Sequence, residues 1–410
     1  MPLRKISKCH MDFVEIIHKI AEELNLKNIE YVIKFGCEDI DSFHNGLYSV
    51  QIKGLRDGQI IKHCVVVKWQ PDREVRSAIK EFYIREITIF QRVVPKFLEI
   101  QRHFKVIEGL RIKFPNCIFM SNEHDKETVA IMALLNGRKG YRVHDRFHKK
   151  DLNHAVLVMK YLAKLHALSF VLENSNPEEF DKIKKSYHKD GQYSDPERVS
   201  KPMKCFYDAS VNVISDPVAK AKLKGLGPNI LSVLYKCTLP VPRYSAICHG
   251  DCWNNNILYS YKGQRPVDVI LIDYQLTRYA SPVTDIAYFM YMSTEKELRE
   301  KHYETLLEIY YGTLEAVLRE CSLKIEDIYP KEIFKSHLQK YSVLGLVEAL
   351  ISMMIITAPS EEALKMTEIK YQFGNEEFCE SQCKIWFKTR VNDVVQDFFS
   401  RNYSLDTVLK

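Results

Sequence analysis

Two short apolar runs, 257–261 (Ile-Leu-Tyr-Ser-Tyr) and 267–272 (Val-Asp-Val-Ile-Leu-Ile), flank a Lys-Gly-Gln-Arg-Pro segment and constrain the fold of this 410-residue chain more than any other feature. Both runs have strand character and the segment between them has turn chemistry, so the pair is predicted to form an antiparallel hairpin. In a hairpin, the residue leading into the first strand lies beside the residue leaving the second. Asn256 and Asp273 are therefore brought together at its open end. Just before them stands His249-Gly250-Asp251, with Asp251 five residues ahead of Asn256. Two carboxylates and an amide oxygen at one spot suit a hard divalent cation, and Mg2+ prefers a few such ligands plus phosphate oxygens to a closed protein cage. Taken singly, His-Gly-Asp reads as a tight turn and Asp273 as a helix cap. The joint spacing, H-x-D-x-x-x-x-N followed by a strand-terminal Asp, points instead to a phosphoryl-transfer site of the kinase kind.

Such a site needs a cation facing the phosphates. Lys68 closes the apolar strand Cys64-Val65-Val66-Val67, where a half-buried ammonium requires an anionic partner. The helix expected over 73–93, ahead of Pro95, carries Ile79, Phe82, Tyr83 and Phe90 on one face. Glu86 falls three or four residues from the last three of these, which places it on the inward face as the partner of Lys68. Further strands are expected at 48–53 and 63–69 around a turn at 54–59, and at 129–132. Gly36 and Gly46 are the glycines ahead of the first of these strands, and they do not make a dense phosphate-cradling loop. The basic, glycine-bearing segment 136–140 is the expected hinge. It divides a nucleotide-binding lobe, 1–136, from a catalytic and substrate lobe, 137–410.

With 46% hydrophobic and 27% charged residues, the net charge of +6 is mild for this length and argues against a nucleic-acid partner. Residues 1–30 are charged and amphipathic (Phe13, Ile16, Ile17, Ile20, Leu24) and lack the apolar core of a signal peptide. The most apolar long stretch, 343–358, contains Glu348 and reads as too short to span a bilayer. A cytoplasmic protein without a membrane partner is expected. Eleven irregularly spaced cysteines, with no C-x-x-C pair, read as free thiols in a reducing compartment. Cys379 and Cys383 are spaced to share a helix face and bind a metal, but with no His or further Cys nearby they read as plain thiols. Asp151 is expected to cap a helix to about residue 172, whose core face carries His166, read as a hydrogen-bonded core histidine rather than a ligand. The polar stretch 173–202 reads as an exposed loop or insertion. Helices are expected over 204–239, broken near Gly225 and Gly227-Pro228, and over 293–318, 334–357 and 378–400, so the second lobe is mainly α.

Three segments carry a resemblance: His249-Gly-Asp-Cys-Trp-Asn-Asn-Asn256-Ile-Leu, Val267-Asp-Val-Ile-Leu-Ile-Asp273-Tyr-Gln, and Tyr279-Ala-Ser-Pro-Val-Thr-Asp285. With Leu162-Ala-Lys-Leu-His-Ala-Leu-Ser169, Phe82-Tyr-Ile-Arg-Glu86 and Val94-Pro95, they make the chain resemble the insect ecdysteroid kinase-like (CHK kinase-like) proteins. These belong to the aminoglycoside and choline phosphotransferase branch of the protein-kinase-like fold. The resemblance implies an α+β, bilobal fold: a small β-rich N-terminal lobe with one inward helix, and a larger, mainly α-helical C-terminal lobe. It implies ATP and Mg2+ as cofactors, Asp251 as catalytic base, and Asn256 and Asp273 on the metal. Lys68, fixed by Glu86, would meet the α- and β-phosphates, and Met132, at the end of the strand leading to the hinge, would border the nucleotide. His249 and Asp285 would support the catalytic loop. The acceptor implied is a small-molecule alcohol, an ecdysteroid or another steroid-like or xenobiotic compound.

Two departures stand out: Ala133-Leu134-Leu135 where members commonly carry Glu-Asp-Leu, and a phosphate loop lacking the usual Gly-Glu-Asn-like segment. They keep open a non-catalytic nucleotide-binding or scaffold role. A choline- or aminoglycoside-type acceptor is the other alternative, but Glu348, Glu361 and Glu362 read as too scattered for a cationic-substrate site.

Overall fold

Alternation along five antiparallel strands places one face of the N-terminal sheet under a helix and turns the other toward the hairpin. The strands, in a computed structural model, are β1 (Lys27–Phe35), β2 (Leu47–Arg56), β3 (Gln59–Lys68), β4 (Cys117–Ser121) and β5 (Thr128–Met132). Their order is β1-β2-β3-β5-β4. The structure describes residues 8–35, 46–70, 73–123, 128–132, 140–187, 196–366 and 381–405. The stretch 36–45, most of the expected hinge (136–139) and Cys379 lie outside them.

The structure adds β1 and β4 to the predicted strands and lengthens the first predicted pair. Its turn is Asp57-Gly58, both at positive φ (51° and 77°), as a two-residue hairpin turn demands. Gly54, expected in the turn, pairs with Ile61 inside the ladder. Helix α1 (Lys8–Glu23) covers one face of the sheet: Phe13 stacks on Trp69 with ring centroids 4.9 Å apart, and Ile16, Ile17 and Ile20 pack with Val50, Ile52, Val65 and Val67. Because successive side chains alternate, Val66 and Lys68 point the other way.

The inward helix does not end before Pro95 as expected. α2 (Arg73–Thr88) passes through a π turn, Ile89–Val93, into α3 (Val94–His103). Pro95 sits in the first turn of α3, directly after the π turn, whose wider winding carries the chain past the residue that has no N–H.

In the C-terminal lobe β6 (Tyr141–Val143) leads to α4 (Leu152–Ser175), whose N-cap Asp151 accepts from the His154 amide. The stretch read as an exposed loop is instead partly helical. α5 (Pro177–Tyr187) and the start of α6 (Pro196–Asn212) occupy it, and residues 188–195 lie outside the described set. Phe180, Ile183 and Tyr187 recur at helical spacing and are buried. Each such side chain contributes about 1.5–3 kcal/mol by leaving water, which outweighs the local excess of lysine. α7 (Pro217–Leu226) and α8 (Ile230–Thr238) follow, joined by a 3-10 turn at Gly227–Asn229.

β7 (Ala246–Cys248) opens the central stretch, and β8 (Ile257–Lys262) and β9 (Arg265–Leu271) form the predicted hairpin. The turn shrinks to Gly263-Gln264, with Gly263 at φ 65°. β6 pairs with β8 on the far side, and β10 (Arg278–Ala280) pairs with β7. Among the described residues six helices complete the lobe: α9 (Val283–Ser293), α10 (Lys296–Glu320), α11 (Ile325–Ile328), α12 (Lys331–Thr357), α13 (Ser360–Met366) and α14 (Ser381–Ser400). The molecule is thus bilobal and α+β.

α4 and α12 are both long and apolar enough to cross a membrane, and the run 343–358 forms part of the 27-residue α12 rather than a short segment. In each helix 78% of the apolar window is buried inside the protein. Their apolar length is therefore that of core helices.

Candidate active site

The loop after β7 is pinned by one buried carboxylate. The His249 and Gly250 amides donate to Asp285 Oδ2 and Oδ1 at 2.6 and 2.9 Å, from the first turn of α9. His166 Nε2, on α4, lies 3.2 Å from the same Oδ2, and its Nδ1 meets the Tyr310 hydroxyl at 2.8 Å. Burial works against the Asp285 carboxylate, but the hydrogen bond and charge of His166 hold it below the ordinary aspartate range. Gly250 is required here: its φ is +86°, and a Cβ would stand 1.9 Å from the Leu276 carbonyl oxygen. The His249 ring is buried, which holds its pKa down. Its Nε2 donates to the Ile272 carbonyl at 3.0 Å while Nδ1 accepts from the Asp251 amide at 3.2 Å. These partners define a neutral tautomer that ties the loop to the end of the hairpin.

The hairpin register pairs Ile257 with Leu271, and the Ile272 amide donates to the Asn256 carbonyl at 3.0 Å. Asn256 Nδ2 then reaches back to Asp251, donating to its carbonyl oxygen at 3.0 Å and to Oδ2 at 2.8 Å. Asp273 adopts a left-handed conformation (φ 66°, ψ 68°) ahead of the 3-10 turn Tyr274–Leu276. Its side chain makes no cap there. Asp273 Oδ1 instead accepts from Lys68 Nζ at 2.7 Å, across the gap between the lobes.

Lys68 arrives from the opposite wall on the sheet face that it shares with Val66. Its ammonium also donates to Glu86 Oε2 at 2.6 Å, and Glu86 Oε1 takes the Tyr274 amide at 3.3 Å. Burial pulls the ammonium down, yet Asp273 and Glu86 outweigh it and hold Lys68 above the usual lysine range. Burial, with the charge of Asp273, holds the Glu86 carboxyl above its ordinary range, although Lys68 pulls it back. Beside this bridge, Leu47 and Val66 meet Leu258 and Ile272 in a small apolar cluster joining sheet to hairpin. The backbone of Met132 pairs with Val65 at the end of β5, and residues 133–139 beyond it are outside the described set.

Two further residues that the motifs do not announce bear on Asp251. The Tyr288 hydroxyl, on α9, donates to Asp251 Oδ1 at 2.6 Å. Glu348, buried on α12, lies close enough to raise the Asp251 pKa. Burial first, then Asp273, push that carboxyl up to about 7, with Glu348 adding to the rise and Tyr288 and Asn256 opposing it. Tyr288 sits in an unbroken apolar run and has no local sequence signal, whereas Glu348, the acid in the apolar stretch 343–358 that read as too scattered for a site, is brought to Asp251 by folding.

The donor set fits a hard cation. With its amide nitrogen committed to Asp251, Asn256 has its oxygen for a metal, and Asp273 supplies a carboxylate beside it. The other potential ligand group, His166, Cys248 and Asp285, has its ligating atoms within 4.8 Å of one another and is fully buried. It is occupied by its own hydrogen bonds. Burial pushes the Cys248 thiol well above its ordinary range, and the sulfur donates to backbone carbonyls rather than standing as a thiolate.

No functionally curated protein matches this sequence. Among solved structures the chain is similar to an aminoglycoside-3'-phosphotransferase of type VIII, with 17% identity, a TM-score of 0.36, and coverage of 83% of this chain and 100% of that one. A Plasmodium vivax ethanolamine kinase aligns at 10% identity and TM-score 0.41, over 98% of this chain and 97% of its own. A glucosamine kinase aligns at 11% identity and TM-score 0.38, over 96% of this chain and 84% of its own. The model of the ecdysteroid kinase-like family matches residues 39–323, a span that holds Lys68, Glu86, Asp251, Asn256, Asp273 and Asp285, and the chain belongs to that family.

Proposed function

We propose that this protein transfers the γ-phosphoryl group of ATP to a hydroxyl of a small-molecule alcohol, with Mg2+ as the accompanying cation. The observation that carries this reading is the bridge by Lys68 from Glu86 to Asp273, directly beside the Asp251–Asn256 pair. Asp251 takes the proton of the acceptor hydroxyl. The acceptor oxygen forms its bond to the γ-phosphorus as the bond from that phosphorus to the bridging oxygen breaks, and ADP leaves with the electron pair. Lys68 balances charge on the phosphates, and His249 and Asp285 keep the Asp251 backbone in place. Held by Asn256 and Asp273, Mg2+ would supply positive charge to the phosphate oxygens as negative charge shifts toward the leaving group. Membership of the ecdysteroid kinase-like family supports an ecdysteroid, or another steroid-like or xenobiotic alcohol, as acceptor.

The test is phosphate transfer by the purified full-length chain from ATP and Mg2+ to a panel of secondary alcohols that includes ecdysteroids, with Asp251→Ala as control. Transfer by the wild type that the control lacks is the expected result. No transfer above the control for any acceptor would end the kinase reading. Thermal stabilisation by Mg·ATP in that case would point to a nucleotide-binding protein without the chemistry.

A further inference from the structure

We propose that Tyr288 is a positioning residue that holds the Asp251 carboxylate in its working orientation, an inference that rests on the kinase reading of this site. The torsion that turns a carboxylate about its last bond is broad and only weakly confined by local sterics. An aspartate anchored through one oxygen can swing. Here both oxygens are tied: Oδ2 to Asn256 Nδ2 at 2.8 Å, and Oδ1 to the Tyr288 hydroxyl at 2.6 Å. The second tie fixes the plane of the group, and with it the direction of the lone pair that receives the acceptor proton.

The anchor is itself rigid. Tyr288 lies three residues beyond Asp285 on α9, every residue of which is buried. One helix thus holds the backbone of the catalytic loop through Asp285 and the carboxylate of Asp251 through Tyr288. α9 is held in turn where α12 crosses it. A Cβ on Gly345 would stand 2.4 Å from the carbonyl oxygen of Ala287, the residue just before Tyr288, and 2.9 Å from its Cβ, so the two helices approach too closely there for any side chain at 345. Bond formation to phosphorus requires the acceptor oxygen in line with the leaving oxygen, and a base that wanders lets that alignment go. Tyr288 donates to Oδ1 and takes nothing from the acceptor.

The test compares wild type, Tyr288→Phe and Tyr288→His as full-length proteins, by crystal structure and by steady-state kinetics with ATP and an alcohol that the wild type phosphorylates. In Tyr288→Phe the Asp251 carboxylate is expected to turn out of its wild-type plane. kcat should fall about tenfold to a hundredfold, while KM for ATP stays unchanged because Lys68 and Glu86 are untouched. Tyr288→His, which keeps a ring donor, should recover part of kcat and carries the comparison if the phenylalanine variant does not fold. A core tyrosine with no positioning role would leave both the carboxylate and kcat as they are. Either an unmoved carboxylate or an unchanged kcat overturns the proposal. If the wild type phosphorylates no alcohol, it is the kinase reading that has failed, and the crystal structures still decide whether Tyr288 sets the carboxylate.

Discussion

At the scale of single residues, Asp251 concentrates the electrostatics of the site. Burial and the neighbouring Asp273 raise its carboxyl to about 7, so the group is neutral below that pH and ionised above it. A base must be ionised to take a proton. Activity is therefore expected to fall as the pH drops, along a one-proton limb. A cation bound beside Asp273 offsets that carboxylate's share, which places the limb of the loaded enzyme between the ordinary aspartate range and about 7. Glu348→Gln removes another raising charge and should move the limb to lower pH. A pH profile of kcat/KM for the acceptor, run on both proteins, checks this. A profile flat down to about pH 4, or a limb that Glu348→Gln leaves in place, would contradict it. The raised carboxyl is a tertiary effect: nothing within several residues of Asp251 in sequence is acidic, and Asp273, Glu348 and the burial all arrive by folding.

At the scale of elements, local terms explain what could be predicted. The β8–β9 hairpin follows from two apolar runs and a glycine turn, and α1 and α2 from amphipathic spacing. The inward helix carries on past Pro95 because a π turn resets it, an event that propensity does not encode. α5 was concealed by its lysines, although Phe180 and Ile183 already stand at helical spacing. The α9–α12 crossing depends on one position. Gly345→Ala sets a methyl against the Ala287 carbonyl, and neither helical backbone can yield without moving its neighbours. Overpacking of this kind costs about 1–3 kcal/mol, and a lowered urea midpoint with unchanged slope is the expected result. Because Ala287 adjoins Tyr288, kcat should fall in the same variant. An unchanged midpoint would mean that the crossing is looser than described.

At the scale of the whole molecule, the lobes are joined through charge as well as through Leu47, Val66, Leu258 and Ile272. Lys68 is shared between a carboxylate of its own lobe and one of the other. Lys68→Met would leave buried Glu86 and half-buried Asp273 as like charges with their common counter-ion gone. Breaking such a pair costs about 3–5 kcal/mol, most of it the penalty of the charge left behind. Adding Glu86→Leu removes one of the stranded carboxylates, so the double variant should be more stable than Lys68→Met alone in equilibrium unfolding. A double variant less stable than the single one would show that the bridge contributes packing rather than charge balance.

The hairpin that carries the site was legible in the chain, because the Asp251-to-Asn256 spacing, the turn and the strand-terminal Asp273 are all set within a few dozen residues by turn geometry and period. So was the Lys68–Glu86 pair, through a strand end and a helix face separated by 18 positions. Folding of the distant helices settles what else bears on Asp251. α9 is buried along its whole length and α12 through most of its second half, so neither carries an apolar stripe that marks an inward face. Which side of such a helix meets which neighbour is settled by the summed fit of side chains in the core. That fit, which sets Gly345 against Ala287, is what brings Tyr288 and Glu348 to the Asp251 carboxylate.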